Sequence, residues 1–334
     1  MDFGFVITQS LTQAIGVVAI IYCLAAIGLN VQFGYAGLLN FGQVAFAAVG
    51  AYMVGVLVAT PWMNGDPGYP LWLAIILAIL GAIVLALILG IPTLRLRADY
   101  LAIVTIATSE LLRLVVRSIA FRNVLGGANG INGKIGDGFH EFNPFPANFD
   151  VPFFTFNRQD LWVVVVGWTL VALFSVLVWL LVRSPWGRVI RGIREDETAV
   201  VSLGKNVFVY KMQALIIGGV IGAFAGIVWA VAKQSVQPDS FVPDFTFFTY
   251  TILLLGGAAR IFGPIVGAVI FWFLLAGVGE TLSQMIQAGW IDFLRPTDVG
   301  PIRFIIVGLG LMMLMIFRPQ GIFGDKRELA LDGR

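Results

Sequence analysis

Long stretches without charge constrain this chain more than any other feature. Leu161 to Val182 is a run of 22 residues without a charged side chain, and Met212 to Ala232 is a second run of 21. A helix needs about 20 apolar residues to cross the hydrocarbon core of a bilayer. Backbone polar groups must be paired inside the protein there, and the alternation of a transmembrane β-strand is absent. The sequence therefore predicts an all-α, polytopic membrane protein.

The apolar stretches predict about eight to ten transmembrane helices. Charged residues make up 12% of the 334 residues, roughly half of the 25% that is usual in soluble domains. We place nine spans at about 11–29, 42–59, 71–92, 98–118, 160–182, 212–232, 245–259, 262–280 and 301–317. Residues 30–41 could also enter the membrane and change this count.

The loops predict an orientation, because cytoplasmic loops of membrane proteins are rich in Lys and Arg. Loop 183–211 carries six Lys or Arg residues, and four more lie in the tail after residue 317, whereas segment 119–159 carries three in 41 residues. We therefore predict a membrane domain over residues 1–318, with 119–159 external and 183–211 cytoplasmic. A cytoplasmic tail follows over residues 319–334, and the N-terminus lies outside.

The external segment 119–159 is rich in Gly and Asn-Gly pairs, which are typical of turns. It also contains four phenylalanines between residues 139 and 149, which a disordered linker would not need. We expect a small ordered cap on the outer face.

The loop "RSPWGRVIRGIREDETAVVSLGKNVFVYK" concentrates nine charged residues between two apolar spans. Pro185 is suited to the first position of a helix, and Glu195, Asp196 and Glu197 would favour the start of a second one. Gly204 can end that second helix. Two short amphipathic helices of this kind suit a groove on a cytosolic protein. The alternative is a solvated loop whose arginines only set the orientation.

Two apolar segments are interrupted by glycine. The first, residues 28–52, holds several amides and a tyrosine, and the second, residues 253–271, has Phe262-Gly263 at the place of Phe41-Gly42, 221 residues earlier. Paired interruptions suggest an internal repeat with broken helices near a transport path. The path candidates are Asn30, Gln32, Tyr35, Asn40, Gly42, Gln43, Gly256 and Gly263. Close helix packing is the alternative explanation of the glycines.

Glu110 is an ionisable residue inside a predicted span, which makes it a candidate functional group. Arg113 lies three residues further on, where a helix places a neighbour. We interpret Glu110 and Arg113 as a structural charge pair near the outer end of this span. A proton relay would need more acidic residues within the spans.

Enzymatic chemistry is disfavoured by the residue types. With His140 as the single histidine and Cys23 as the single cysteine, neither a metal site nor a catalytic cluster is expected, and we name no catalytic residue. The phosphate-binding pattern G-x-x-x-x-G-K-[ST] is absent, so no cofactor is expected in this chain and ATP would have to be handled elsewhere.

Several stretches together resemble the LivM-type permeases of bacterial ABC importers for branched-chain amino acids. They are "GYAGLLNFGQVAFAAVGAY", "LRADYLAIVTIATSELLR", "REDETAVVSLG" followed by "NVFVYK", "LLLGGAARIFGPIVGAVIF" and the final "FRPQGIFG". The resemblance covers nearly the full length. It implies a permease in the bacterial inner membrane that works by alternating access and is surrounded by lipid, with no nucleic-acid partner.

The same resemblance implies partners and roles. The partners would be a paralogous LivH-type permease, two cytosolic ATPases that bind ATP and Mg²⁺, and an external solute-binding protein. ATPase coupling would fall on Arg191, Arg194, Glu195, Asp196, Glu197, Ala199 and Gly204. The loop departs from the general pattern of Glu-Ala-Ala, three residues and Gly, because four residues separate Ala199 from Gly204. Urea, short amides or other amino acids remain alternative substrates, and an ion-coupled secondary transporter is an alternative of another class.

Overall fold

The prediction of an all-α membrane protein is confirmed by a computed structural model, which describes residues 3–59, 68–94, 98–133, 135–151, 154–290, 295–318 and 320–323. Its α-helices, in chain order, are α1 Phe3–Ile15, α2 Val17–Leu29, α3 Gln43–Ala59, α4 Leu71–Thr93, α5 Ala98–Arg117, α6 Arg122–Leu125, α7 Asp137–His140, α8 Arg158–Arg183, α9 Pro185–Glu195, α10 Glu197–Ser202, α11 Val207–Lys233, α12 Pro243–Gly256, α13 Gly263–Gln287 and α14 Val299–Phe317. Strands are short: β1 Ile131–Asn132 pairs with β4 Ser235–Val236, and β2 Phe149–Val151 pairs with β3 Phe154–Phe156.

Every predicted span falls on helical structure, the first of them on the end of α1 and on α2, but the helices differ in how well they suit a bilayer. Within the described residues, six helical stretches are long and apolar enough to cross a membrane. They are Phe3–Tyr35, Leu71–Thr93, Arg158–Arg183, Val207–Lys233, Gly263–Gln287 and Pro296–Phe317. Helices α3 and α12 are apolar but only 17 and 14 residues long. Helix α5 has 20 residues but carries Glu110, Arg113 and Arg117.

The first span begins earlier than predicted. The sequence placed its start near residue 11, whereas α1 begins at Phe3. The polar residues Thr8, Gln9 and Ser10 interrupt the apolar pattern of the sequence here. The Ser10 hydroxyl nevertheless has a hydrogen-bond partner within the helix, because it donates to the Val6 carbonyl at 2.7 Å. Helix α1 packs against α13 and meets α2 at Gly16.

The centre of the molecule is built from α2, α3 and α11. Small residues on α11 allow both neighbours to approach closely. A Cβ atom added at Gly218 would lie 2.4 Å from the Gly28 carbonyl oxygen of α2, and one added at Gly226 would lie 1.8 Å from the Ala47 carbonyl oxygen of α3. These backbone contacts place the buried amides of α2 and α3 beside α11.

The two ends of the helix bundle carry different structures. At one end, the described parts of segment 119–159 form short helices and strands. Ile131 pairs there with Val236, just after α11, and Phe139 stacks on Trp162 of α8 with ring centroids 5.5 Å apart. At the opposite end lie α9 and α10, which precede α11. The described parts of 119–159 are therefore ordered against the bundle, at the end away from the predicted coupling loop.

The chain after α14 returns to the end that carries α9 and α10. The amides of Ile322 and Phe323 donate to the carbonyls of Leu255 and Gly256, at 2.9 and 3.1 Å, where α12 ends. The rest of the predicted tail, 324–334, lies outside the described residues.

Helix boundaries follow the suggested repeat. The helical stretch after α2 ends at Tyr35, and α12 ends at Gly256, 221 residues later. The next helices start at Gln43 and Gly263, which agree with the same offset to within one residue. Both glycine-interrupted segments therefore contain a helix end and the next helix start.

Candidate coupling and translocation site

Between α2 and α3 the backbone changes from an α-helix to a π-helix and then loses regular structure. Residues Asn30–Tyr35 continue it as a π-helix, and residues 36–42 form no regular structure before α3 starts at Gln43. The backbone turns out of the π-helix at Gly37, whose φ of +67° lies in a region that glycine adopts readily. The predicted break is thus a π-helical turn followed by a non-helical segment of seven residues, 36–42.

Two side-chain amides hold the non-helical segment against the π-helix. The Asn40 Nδ2 donates to the Gln32 Oε1 at 2.7 Å, and the Gln32 Nε2 donates to the Leu215 carbonyl at 3.1 Å. The Asn40 Oδ1 accepts the Gly42 amide at 2.8 Å. Asn40 and Gln32 are fully buried, and their network also provides a partner for the backbone amide of Gly42, which lies outside any helix.

Asn30 and Gln43 join this region to its neighbours. The Asn30 Nδ2 donates to the Arg260 carbonyl, and the Asn30 Oδ1 accepts the Ala259 amide, both at 2.8 Å. The Gln43 Nε2 lies 3.2 Å from the carbonyl oxygens of Ala25 and Gly218. Asn30 therefore links the two glycine-interrupted segments to each other.

The predicted path residues are brought together, but their side chains face the protein interior. Asn30, Gln32, Tyr35, Asn40 and Gln43 are all buried. Their amides bind backbone groups or one another, so in this conformation they stabilise the helix break. Their part in translocation stays a prediction.

The glycines of the site are positions of close backbone contact. A Cβ at Gly42 would lie 2.7 Å from the Thr105 carbonyl oxygen of α5, and one at Gly256 would lie 1.8 Å from the Gly263 carbonyl oxygen. Both interruptions therefore need glycine for packing.

Helix α9 contacts the end of this broken segment through its arginines. The Arg194 Nη1 donates to the Gly34 carbonyl at 2.7 Å, and the Arg191 Nη2 donates to the Val182 carbonyl at 3.2 Å. The Arg191 guanidinium also lies 6.0 Å from the ring centroid of Tyr35. Both residues were predicted to serve ATPase coupling, and these three contacts of theirs are with other parts of this chain.

Helix α10 is separated from α9 by a capping residue. The Asp196 Oδ1 accepts the amides of Thr198 and Ala199, at 2.9 and 3.1 Å. The Thr198 hydroxyl donates to the same carboxylate, and together with the Ala199 amide it lowers the pKa of Asp196 below its ordinary value. Gly204, with a φ of +73°, follows the end of α10 as predicted.

The two short helices present one packed face and one open face. Ile190, Ile193 and Val200 are buried against the bundle. The open face carries Glu195, Asp196, Glu197, Ala199, Val201 and Leu203, all exposed. Glu197 pairs with Lys211 of α11. An exposed surface that combines acidic and apolar side chains is suited to binding another protein.

The predicted pair on α5 is present. The Arg113 Nε donates to the Glu110 Oε2 at 3.0 Å, and the Arg113 Nη1 lies 3.3 Å from the Asp239 Oδ1. Arg117 also approaches Asp239, at 3.4 Å. Asp239 precedes α12, so these charges tie the outer part of α5 to the start of α12, which supports the structural interpretation.

Sequence reasoning missed the hydroxyl groups that anchor the break. The Thr105 Oγ1 of α5 accepts the Phe41 amide at 3.1 Å, and the Thr246 Oγ1 of α12 accepts the Val44 amide at 3.0 Å. The Tyr250 hydroxyl donates to the Asn40 carbonyl at 3.1 Å. Their partners are backbone groups far away in the sequence, so no local pattern marked them. Within the described residues, no group of three His, Cys, Asp or Glu side chains could hold a metal ion.

Comparison with known proteins identifies the family. Residues 11–317 match the family model described as the permease component of branched-chain amino acid transport systems. The chain belongs to this permease family. It is 32% identical over 327 residues to the high-affinity branched-chain amino acid transport system permease protein LivM of Salmonella typhimurium, covering 92% of this chain and 69% of that protein.

Two more relatives are also named as permease proteins of branched-chain amino acid transport. The probable branched-chain amino acid transport permease protein LivM of Methanocaldococcus jannaschii is 27% identical over 92% of this chain and 91% of its own length. The LivH permease protein of Escherichia coli strain K12 is 25% identical, with 91% of each chain covered. This permease is therefore a membrane component of an ABC importer, and its family is one of transport proteins and not of enzymes.

Proposed function

We propose that this permease translocates branched-chain amino acids across the bacterial inner membrane as one of two permease subunits. The second subunit is a LivH-type paralogue, and transport proceeds by alternating access. An external solute-binding protein delivers the substrate, and two cytosolic ATPases bind ATP and Mg²⁺ and supply the energy. The family match along residues 11–317 carries this proposal.

The geometry of α9 and α10 supports coupling to a separate ATPase. Their outer face is exposed and both acidic and apolar, while Arg194 on α9 contacts the π-helical end of the broken segment. A partner that moves α9 would therefore act directly on residues 34–42. An ion-coupled secondary transporter needs no such surface.

A transport assay separates the substrate alternatives. The permease is co-expressed with its partners, reconstituted in proteoliposomes and tested for ATP-dependent uptake of leucine, isoleucine and valine beside urea, acetamide and glutamine. We expect the three branched-chain amino acids to be taken up in preference. Uptake of urea or acetamide without leucine would overturn the substrate assignment, and leucine uptake without any ATPase subunit would overturn the ABC assignment.

The orientation is tested with single cysteines in a variant that carries Cys23→Ala. Ser202 on α10 and Asn148 in segment 119–159 are both exposed and lie at opposite ends of the bundle. An impermeant thiol reagent added to spheroplasts should modify Asn148→Cys but not Ser202→Cys. The reverse labelling would contradict a cytoplasmic coupling loop and C-terminus.

A further inference from the structure

A small aromatic cluster lies apart from the main hydrophobic core, beside the helix break. Its buried members are Leu29, Tyr250 and Leu253, against which Phe33 and Phe41 pack. Phe41 stacks on Tyr250 with ring centroids 4.7 Å apart and lies 5.8 Å from the ring of Phe247. Phe247 is 49% exposed. The cluster therefore has one face within the protein and one on its surface.

In the non-helical segment, buried residues alternate with residues that are exposed or half-buried. Leu38, Asn40 and Gly42 are buried, whereas Gly37 is exposed and Leu39 and Phe41 are half-buried. Every second residue from Gly37 to Phe41 is therefore at least partly accessible at the surface. Gly37, Leu39 and Phe41 thus form an outward row that runs from the end carrying α9 towards the aromatic cluster.

The row reaches the depth of the membrane-spanning helices. Phe41 is fixed through its amide to Thr105 of α5, and its neighbour Asn40 is fixed through its carbonyl to Tyr250. Tyr250 lies midway along α12. Non-helical backbone at membrane depth occurs where it is buried in protein or lines a water-filled cavity, and not where it faces lipid. The outward face of this segment is therefore unsuited to the hydrocarbon.

A cavity at the α9 end of the row also contains Gly37. It has a volume of about 240 Å³ and is lined by residues of the non-helical segment and of five helices, among them Leu101, Arg194, Glu197 and Lys211. Both signs of charge line this cavity, whereas the row above it is apolar. A zwitterion with an apolar side chain matches this combination of surfaces.

We propose that Leu39 and Phe41 of the non-helical segment, with Phe247 of α12, line the translocation path and contact the apolar side chain of the solute. The inference deepens the proposed function and rests on it for the identity of the solute. It assigns the path to the outward face of the break, whereas the buried amides on the inner face hold this segment in place.

The experiment measures whether these positions are accessible to water. Single cysteines replace Leu39, Phe41 or Phe247 in a variant carrying Cys23→Ala, within the full complex in nanodiscs, and a charged methanethiosulfonate reagent is applied. Leu309→Cys on α14 and Leu80→Cys on α4 are matched controls, because these leucines are 53% and 51% exposed. We expect modification of the three path positions to be about tenfold or more faster than at the controls, since a charged reagent enters hydrocarbon poorly.

Protection by the solute tests the side-chain contact. Leucine, supplied with the binding protein, should slow the modification of Phe247→Cys and Leu39→Cys more than alanine does at the same concentration. Rates at all three positions equal to those of Leu309→Cys would overturn the path assignment. Fast modification that leucine leaves unchanged would overturn the contact with the side chain.

The two proposals fail in distinguishable ways. Leucine uptake by the complex that carries only Cys23→Ala tests the importer assignment without any path substitution. If Phe41→Cys prevents assembly, Leu39→Cys and Phe247→Cys still decide the accessibility of this face, because they lie on two different elements.

Discussion

The Arg194 guanidinium donates a hydrogen bond of 2.7 Å to the Gly34 carbonyl, across 160 residues of sequence. The donor lies on α9 and the acceptor lies near the end of the π-helix, next to the non-helical segment. Carbonyls at a helix end lack intrahelical partners, so the charged side chain satisfies a group that the helix break has exposed. This contact is the most direct link between the exposed surface of α9 and α10 and the broken segment.

Removing that link should uncouple transport. Hydrogen bonds of charged groups contribute about 1.5–3 kcal/mol, so Arg194→Ala should lower leucine uptake about tenfold or more while ATP hydrolysis by the complex continues. Arg188→Ala, an exposed position on the same helix, is the control and should retain coupling. Leucine uptake and ATP hydrolysis are measured in the same proteoliposomes. An equal ratio of uptake to hydrolysis in the two variants would contradict a coupling role.

The cap of α10 predicts a pH dependence. The pKa of Asp196 is lowered in the folded state, so its carboxylate stabilises the start of α10 above the unfolded pKa. This stabilisation is lost as the pH falls through the folded pKa. Hydrogen exchange at the amides of Thr198 and Ala199 should therefore accelerate in acid, beyond the intrinsic pH dependence of exchange.

Two variants separate charge from capping at this position. Asp196→Asn should keep the cap, because Asn is a good N-cap residue, and should lose the pH dependence. In Asp196→Ala, the amides of Thr198 and Ala199 should exchange fast at every pH. Equal protection in wild type and Asp196→Ala would refute the capping role.

The apolar side chains at the end of α10 should be needed for ATPase binding. Leu203 is 78% exposed and follows α10, near the exposed Val201. A charge at the centre of a protein interface costs several kcal/mol when it is buried without a partner, so Leu203→Asp should abolish co-purification of the ATPase. Leu203→Met should preserve it. Retention of the ATPase by Leu203→Asp would show that the partner binds elsewhere.

Gly42 should not tolerate a side chain. A Cβ there would lie 2.7 Å from the Thr105 carbonyl oxygen and 3.0 Å from the Thr105 Cβ. Overpacking costs about 1–3 kcal/mol, so Gly42→Leu should lower the thermal stability of the purified permease and its uptake. Gly308→Ala on α14 is the control, because no atom lies within 4 Å of the added Cβ. A wild-type melting temperature for Gly42→Leu would disprove this packing constraint.

Glu110 should act as a structural residue. Its partner Arg113 also approaches Asp239, and partly exposed ion pairs contribute about 0.2–1 kcal/mol. Glu110→Gln should therefore reduce stability slightly and leave the pH profile of uptake unchanged. Loss of uptake in Glu110→Gln, with normal assembly, would instead support a proton-relay role.

Local sequence patterns predicted much of this protein. The uncharged runs predicted the helices, because backbone groups in lipid have few ways to be paired. Pro185, the acidic residues before Thr198 and Gly204 predicted two short helices, and α9 and α10 occupy those positions. The glycine interruptions were also located correctly, since an unwound segment needs residues that permit unusual backbone angles and close contacts.

The sequence by itself determined which segments are helical, where the helices break and which loop projects from them, because those properties depend on neighbours along the chain. Only the tertiary structure decided which way the side chains at the break face. Asn40 bonds to Gln32 of the preceding π-helix, while Phe41 meets Tyr250 on α12. Arg194 turns towards Gly34 of this chain, although the family resemblance implied a role for it in coupling to a cytosolic ATPase. Hydrogen-bond partners from distant segments fix these orientations, and no local pattern encodes which carbonyl or ring a side chain will meet.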